Sequence, residues 1–98
     1  MTPKVDTAPD TWVGSIVLSL AGRDRKRLFV IVSLDEVNGY VYVADGKLRQ
    51  IQHPKKKKSK HVKIVDRAQD EVCEACRSGR ITNRMLREAL APLSSNLR

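Results

Sequence analysis

Cys73 and Cys76 stand three residues apart, and His53 and His61 bracket a lysine tract, so the chain offers thiols, imidazoles and amines for chemistry. The Cys-x-x-Cys spacing suits half of a zinc site or a redox pair. A four-ligand zinc site needs a second pair, and the two histidines lie in the basic segment rather than at finger spacing. A redox pair belongs in a βαβ context, which the sequence pattern lacks. At i and i+3 of a helix the two sulfurs are expected to pack against neighbouring structure. The carboxylates are scattered over turns and helix surfaces and neither histidine has a partner nucleophile nearby in sequence. The reading is therefore a non-catalytic protein without metal or cofactor.

The amines point elsewhere. HPKKKKSKH, residues 53–61, holds five lysines in nine positions, and Arg23-Asp24-Arg25-Lys26-Arg27 forms a second basic cluster. Lys47 and Arg49 lie between them. Residues 14–65 carry twelve basic groups against four acidic ones, which accounts for the whole formal charge of +8, whereas residues 66–98 are nearly balanced. Like charges on one loop repel each other and cost the fold stability unless a polyanion neutralises them. Basic groups from three separate turns of one small domain are expected to form a single phosphate-binding surface. A solvated basic loop is the plain alternative, and an anionic membrane surface or an acidic protein are the other partner classes. Tyr40 and Tyr42 share a strand face, suited to base stacking or to packing.

The elements that must position these groups are short. At 98 residues the chain holds one small domain. Residues 1–11 read as a flexible tail with neither a signal peptide nor a membrane anchor, and no window is long and apolar enough to span a bilayer. Two cysteines without a secretory signal suit a reducing, cytoplasmic setting. In GSIVLSL, Ile16, Leu18 and Leu20 alternate with Ser15, Val17 and Ser19, as in a strand. Leu28 to Val32 is a continuous apolar run rich in β-branched residues, expected to be a strand buried on both sides. Asn38-Gly39 before Tyr40 to Ala44 signals a hairpin, and Asp45-Gly46 a further turn. Lys47 to Ile51 is expected to be a fourth strand, the lysine tract a long loop, and Val62 with Ile64 part of a fifth strand. Five short strands with tight turns predict a small barrel.

After Asp66, read as an N-cap, the spacing of Ala68, Val72, Ala75 and Cys76 predicts a helix ending at Gly79. Thr82 caps a second helix with a Met85, Leu86, Ala89 and Leu90 stripe, which Pro92 is expected to end. Helices this short need to pack on the barrel, on each other or on a partner. The organisation expected is a tail at 1–11, a barrel at 12–66, a helical hairpin at 67–93 and a frayed end at 94–98.

Gly14 to Asp66 resembles a KOW domain, an SH3-like barrel, in particular that of the large-subunit ribosomal protein fourteen-e family and its small bacterial relatives. The matching pieces are GSIVLSLAGRD, FVIV, the Asn38 to Gly46 hairpin and turn, Arg49 and KKKKSKHV. The resemblance implies RNA binding, with ribosomal RNA or the ribosome as partner. It places the contact turn at Gly22, Arg23, Asp24, Arg25, Lys26 and Arg27. One departure stands out: a KOW motif usually has a second glycine four residues after the first, and this chain has Lys26 there. With Lys47, Arg49, Lys55, Lys56, Lys57, Lys58, Lys60 and His61, these residues make up the expected RNA surface, and the lysine loop is expected to become ordered on binding. The competing reading is a protein-interaction module that uses the Met85, Leu86 and Leu90 stripe or the barrel groove.

Overall fold

A computed structural model describes residues 12–96, with side chains as far as Leu93. The expected tail at 1–11 lies outside the described residues. Five strands, β1 (Ser15–Ser19), β2 (Leu28–Asp35), β3 (Tyr40–Ala44), β4 (Lys55–Lys58) and β5 (Val62–Arg67), are followed by helices α1 (Asp70–Ser78) and α2 (Asn83–Asn96). The strands form one antiparallel sheet in the order β4-β3-β2-β1-β5, and a single 3-10 turn, Ser59–His61, joins its two outer strands.

The continuous apolar run of β2 follows from burial on both faces. Leu28, Val30 and Val32 face one cluster, in which Ile16 and Ala44 meet Val72, Cys73, Cys76, Leu86 and Leu90 of the helices. Phe29 and Ile31 face a second cluster with Val17, Val41 and Val43, over which Trp12, Leu34 and Val62 pack. Irregularities between Ile16 and Val17 and between Ile31 and Ser33 interrupt the ladders, and such bulges bend and twist a sheet. The same two-sided burial explains why Val17, placed by alternation opposite Ile16, is fully buried.

The β2–β3 hairpin forms where Asn38-Gly39 signals it, across a four-residue loop. Asp35 accepts bonds from the backbone and side-chain nitrogens of Asn38, at 3.3 and 3.0 Å, and these hold its carboxyl pKa below the ordinary range. The second turn departs from expectation. Lys47 to Ile51 is not a strand, because Asp45 closes it into a turn: its carboxylate accepts from the backbone N–H of Lys47 and of Arg49, both at 2.9 Å. The fourth strand is instead the lysine tract itself, paired with β3 from Tyr40↔Lys58 to Val43↔Lys55.

The first helix starts later and the second runs longer than the sequence pattern suggests. β5 continues through Arg67, opposite Ser15, and Ala68 N–H donates to Gly14 at 2.9 Å, so Asp66 is in a strand and Gln69 takes the N-cap position. Gly79 ends α1 in the left-handed conformation, its N–H turned back to Ala75 and Cys76. Thr82 caps α2, accepting at Oγ1 from Met85 N–H at 3.2 Å. Pro92 does not stop α2. It removes one helix hydrogen bond, but Leu93 beyond it packs on the core, and the helix reaches Asn96.

Leu86 and Leu90 are buried in the helix-side cluster, while Met85 and Ala89 of the same stripe are half-buried at its margin. Cys73 and Cys76 are free, buried thiols. Cys73 Sγ lies 3.5 Å from the Ala68 carbonyl, and burial pushes the Cys76 thiol up to about 11. Both sulfurs pack as expected, and the raised Cys76 pKa disfavours a thiolate at that position.

Candidate nucleic-acid interface

Three basic segments far apart in sequence meet at the turn between β1 and β2. Its ends are held by backbone bonds: Ser19 N–H donates to Arg27 at 2.9 Å, Lys26 N–H to Ser19 at 2.8 Å, and Leu20 N–H to His61 at 2.8 Å. Inside the turn, Arg25 N–H donates to Gly22 at 3.2 Å and Arg27 N–H to Asp24 at 2.9 Å. Gly22 takes φ +79, and Lys26 takes φ +70, the one positive φ at a non-glycine residue among the described residues. The Lys26 position where glycine was expected keeps a glycine-type backbone and gains an exposed amine. A left-handed residue with a Cβ costs about 1–2 kcal/mol.

Asp24 and Lys57 are the buried charged residues among the described ones, and both tie segments together. Asp24 turns inward and pairs with Arg49, Nη2 to Oδ2 at 3.1 Å, which joins the turn after β1 to the turn after β3. Lys57 alternates inward from β4, and its Nζ donates to the Ala21 carbonyl at 3.2 Å. The β4 register places Lys56 and Lys58 on the other face, opposite Tyr42 and Tyr40. Lys56 Nζ sits 4.4 Å from the Tyr40 ring centre, a cation–π contact. Tyr42 is half-buried and packs on the helix-side cluster.

The expected site residues thus sort by placement. Gly22, Arg23, Arg25, Lys26 and Arg27 are exposed on the first turn, and Lys56, Lys58 and Lys60 are exposed on β4 and the 3-10 turn. Lys55 and His61 are half-buried and Lys47 is exposed on the Asp45 turn. Asp24 and Lys57 are buried, and Arg49 is a third exposed and engaged with Asp24. The lysines do not form a loop: a strand spaces them so that alternate amines diverge, which lowers the self-repulsion expected of a flexible run.

Sequence reasoning missed the groups that hold this arrangement. Ala21 contributes only its carbonyl. Asn83 of α2 accepts at Oδ1 from Ile51 N–H at 2.7 Å, and Arg87 donates to the Gly46 carbonyl at 2.7 Å, so the second helix braces the Asp45 turn. Gly46 has φ +80, and a Cβ there would meet the Asn83 carbonyl. Asp45-Gly46 marks the turn in sequence, whereas nothing local marks its docking on a helix. Among the described residues no group of three or more His, Cys, Asp or Glu converges as a metal site, and no helix is long and apolar enough to cross a membrane. No known-family model matches this chain, and no curated protein does.

Proposed function

We propose that the protein is a non-catalytic RNA-binding protein, with an SH3-like barrel of KOW type that holds structured RNA, ribosomal RNA being the favoured partner. The observation that carries this reading is the Lys57 to Ala21 contact, which brings the lysine strand onto the glycine turn. It ties the lysine strand to the turn that carries the exposed arginines at 23, 25 and 27, and the exposed lysines at 56, 58 and 60 lie on that strand and the 3-10 turn after it. The order β4-β3-β2-β1-β5, with a 3-10 turn between the outer strands, also suits an SH3-like barrel. Lys26 at φ +70 has the backbone conformation that a second motif glycine would readily adopt, which supports the reading.

In this mechanism the exposed amines and guanidinium groups neutralise phosphates, giving affinity and placement. Selectivity comes from RNA shape and 2′-hydroxyls, because few side chains on the surface suit base reading. Asp24 and Arg49 act as positioning residues, and Lys57 acts from beneath the surface. The β4 pairing removes the need for the lysine tract to fold on binding, so less conformational entropy opposes association.

The test is capture of the tagged protein from lysate at moderate salt, with and without ribonuclease, followed by sequencing of bound RNA. Enriched ribosomal RNA, lost when Lys56, Lys58 and Lys60 become Glu, supports the proposal. A protein partner that survives ribonuclease, with no enriched RNA, sinks it in favour of an interaction module in a cytoplasmic or other compartment.

A further inference from the structure

At the other end of the sheet order from β4, a groove of about 440 Å³ opens between the end of β5, the start of α1 and the outer part of α2. Val72 is buried at its floor with Met85 and Leu93 half-buried beside it. Three exposed carboxylates, Asp66, Glu71 and Glu88, line it with Arg67 as the one base. Asp66 Oδ1 accepts from Arg67 N–H at 2.8 Å, and Glu88 Oε2 accepts from Arg84 Nε at 3.0 Å in a solvent-exposed pair. An exposed pair of that kind is worth little and exchanges readily for another cation.

We propose that this groove docks a cationic, amphipathic peptide segment of a protein partner, one apolar side chain seated on Val72, Met85 and Leu93 and basic side chains facing Asp66, Glu71 and Glu88. The charge argues for this occupant. On a chain of formal charge +8, a groove lined by three carboxylates and Arg67, with Arg84 paired to Glu88 beside it, runs against the average of the molecule and favours a cation over a polyanion. β5, an outer strand of the sheet, also leaves Ile64 and Val65 exposed at 48% and 44%. The groove does not depend on the RNA reading, and it would let the molecule bridge an RNA and a basic protein segment.

The experiment is amide chemical-shift mapping on the full chain, titrated with a synthetic peptide Lys-Val-Arg-Leu-Lys-Val and with its counterpart carrying Glu at the three basic positions. Saturable shifts confined to residues 64–72 and 85–93 with the basic peptide alone are expected. The doubly substituted Glu71→Lys, Glu88→Lys chain should bind the basic peptide at least about fivefold more weakly and gain affinity for the acidic one. Both positions are exposed, and a Glu71→Gln, Glu88→Gln chain with intact amide dispersion guards against a folding artefact. Absence of shifts in the groove, equal shifts with both peptides, or shifts that grow with protein concentration alone would overturn the proposal, the last by assigning the groove to a second copy.

Discussion

Arg49 Nη2 lies 3.1 Å from Asp24 Oδ2, and this one pair fixes the turn after β1 against the turn after β3. Asp24 is buried and Arg49 is a third exposed, so the bond is partly shielded from water. The pair therefore ties the turn with the exposed arginines to the turn that carries Lys47. Asp24→Ala is expected to destabilise the fold by about 1–2 kcal/mol, read as a shift in the urea midpoint with an unchanged slope. RNA affinity of the folded fraction should fall only modestly, since the turn that presents the arginines loses its tie while a repelling carboxylate is removed. A large loss of affinity at full folding would mean that Asp24 touches RNA directly.

Lys26 offers a test with the opposite sign. Its φ of +70 is a conformation that glycine adopts freely. Lys26→Gly is expected to raise stability by about 0.5–1 kcal/mol in spite of the added freedom of the unfolded chain, while Lys26→Val should lower it. Thermal melts of the three chains give the order directly.

Alternation along β4 predicts that neighbouring lysines behave differently. Lys58→Ala should leave the melting temperature almost unchanged and reduce the slope of log affinity against log salt by about 0.7–0.9, because one phosphate fewer is neutralised. Lys57→Ala should cost about 1 kcal/mol of stability, since the bond to Ala21 and the stem packing around it are both removed. Equal effects at both positions would contradict the inward and outward placement.

Gly46 sits where the Asp45 turn meets α2. Gly46→Ala places a methyl group against the Asn83 carbonyl on a backbone of φ +80, and is expected to cost more than about 2 kcal/mol. Hydrogen exchange should report the loss first at Ile51 N–H, whose acceptor is Asn83.

The Cys76 thiol sets a pH dependence. With its folded pKa raised from 9.0 to about 11, the folded state keeps a proton that the unfolded state releases as pH climbs past its ordinary value. The contribution to stability is thus intact below about pH 9 and declines as pH rises toward 11. The difference between the wild-type and Cys76→Ala stability curves should show this decline, and a thiol reagent at pH 8 should modify Cys76 only as fast as the protein unfolds.

Periodicity and turn chemistry in the sequence determined β1, β2, β3, β5, the Asn38-Gly39 hairpin, the Thr82 and Gly79 caps, and the positions of the cations. These signals are local: an apolar residue every second or every third to fourth position, and a glycine or hydroxyl where a turn needs one. Only the tertiary structure decided that Lys55–Lys58 is a strand and Lys47 to Ile51 a turn. Lysine has little intrinsic preference for strands, so β4 exists because the exposed edge of β3 supplies hydrogen-bond partners. It likewise decided which charges turn inward, since Asp24 finds Arg49 across 25 positions and Lys57 finds Ala21 across 36. A partner at that distance leaves no mark in the neighbouring residues, because the contact exists only once the sheet has assembled.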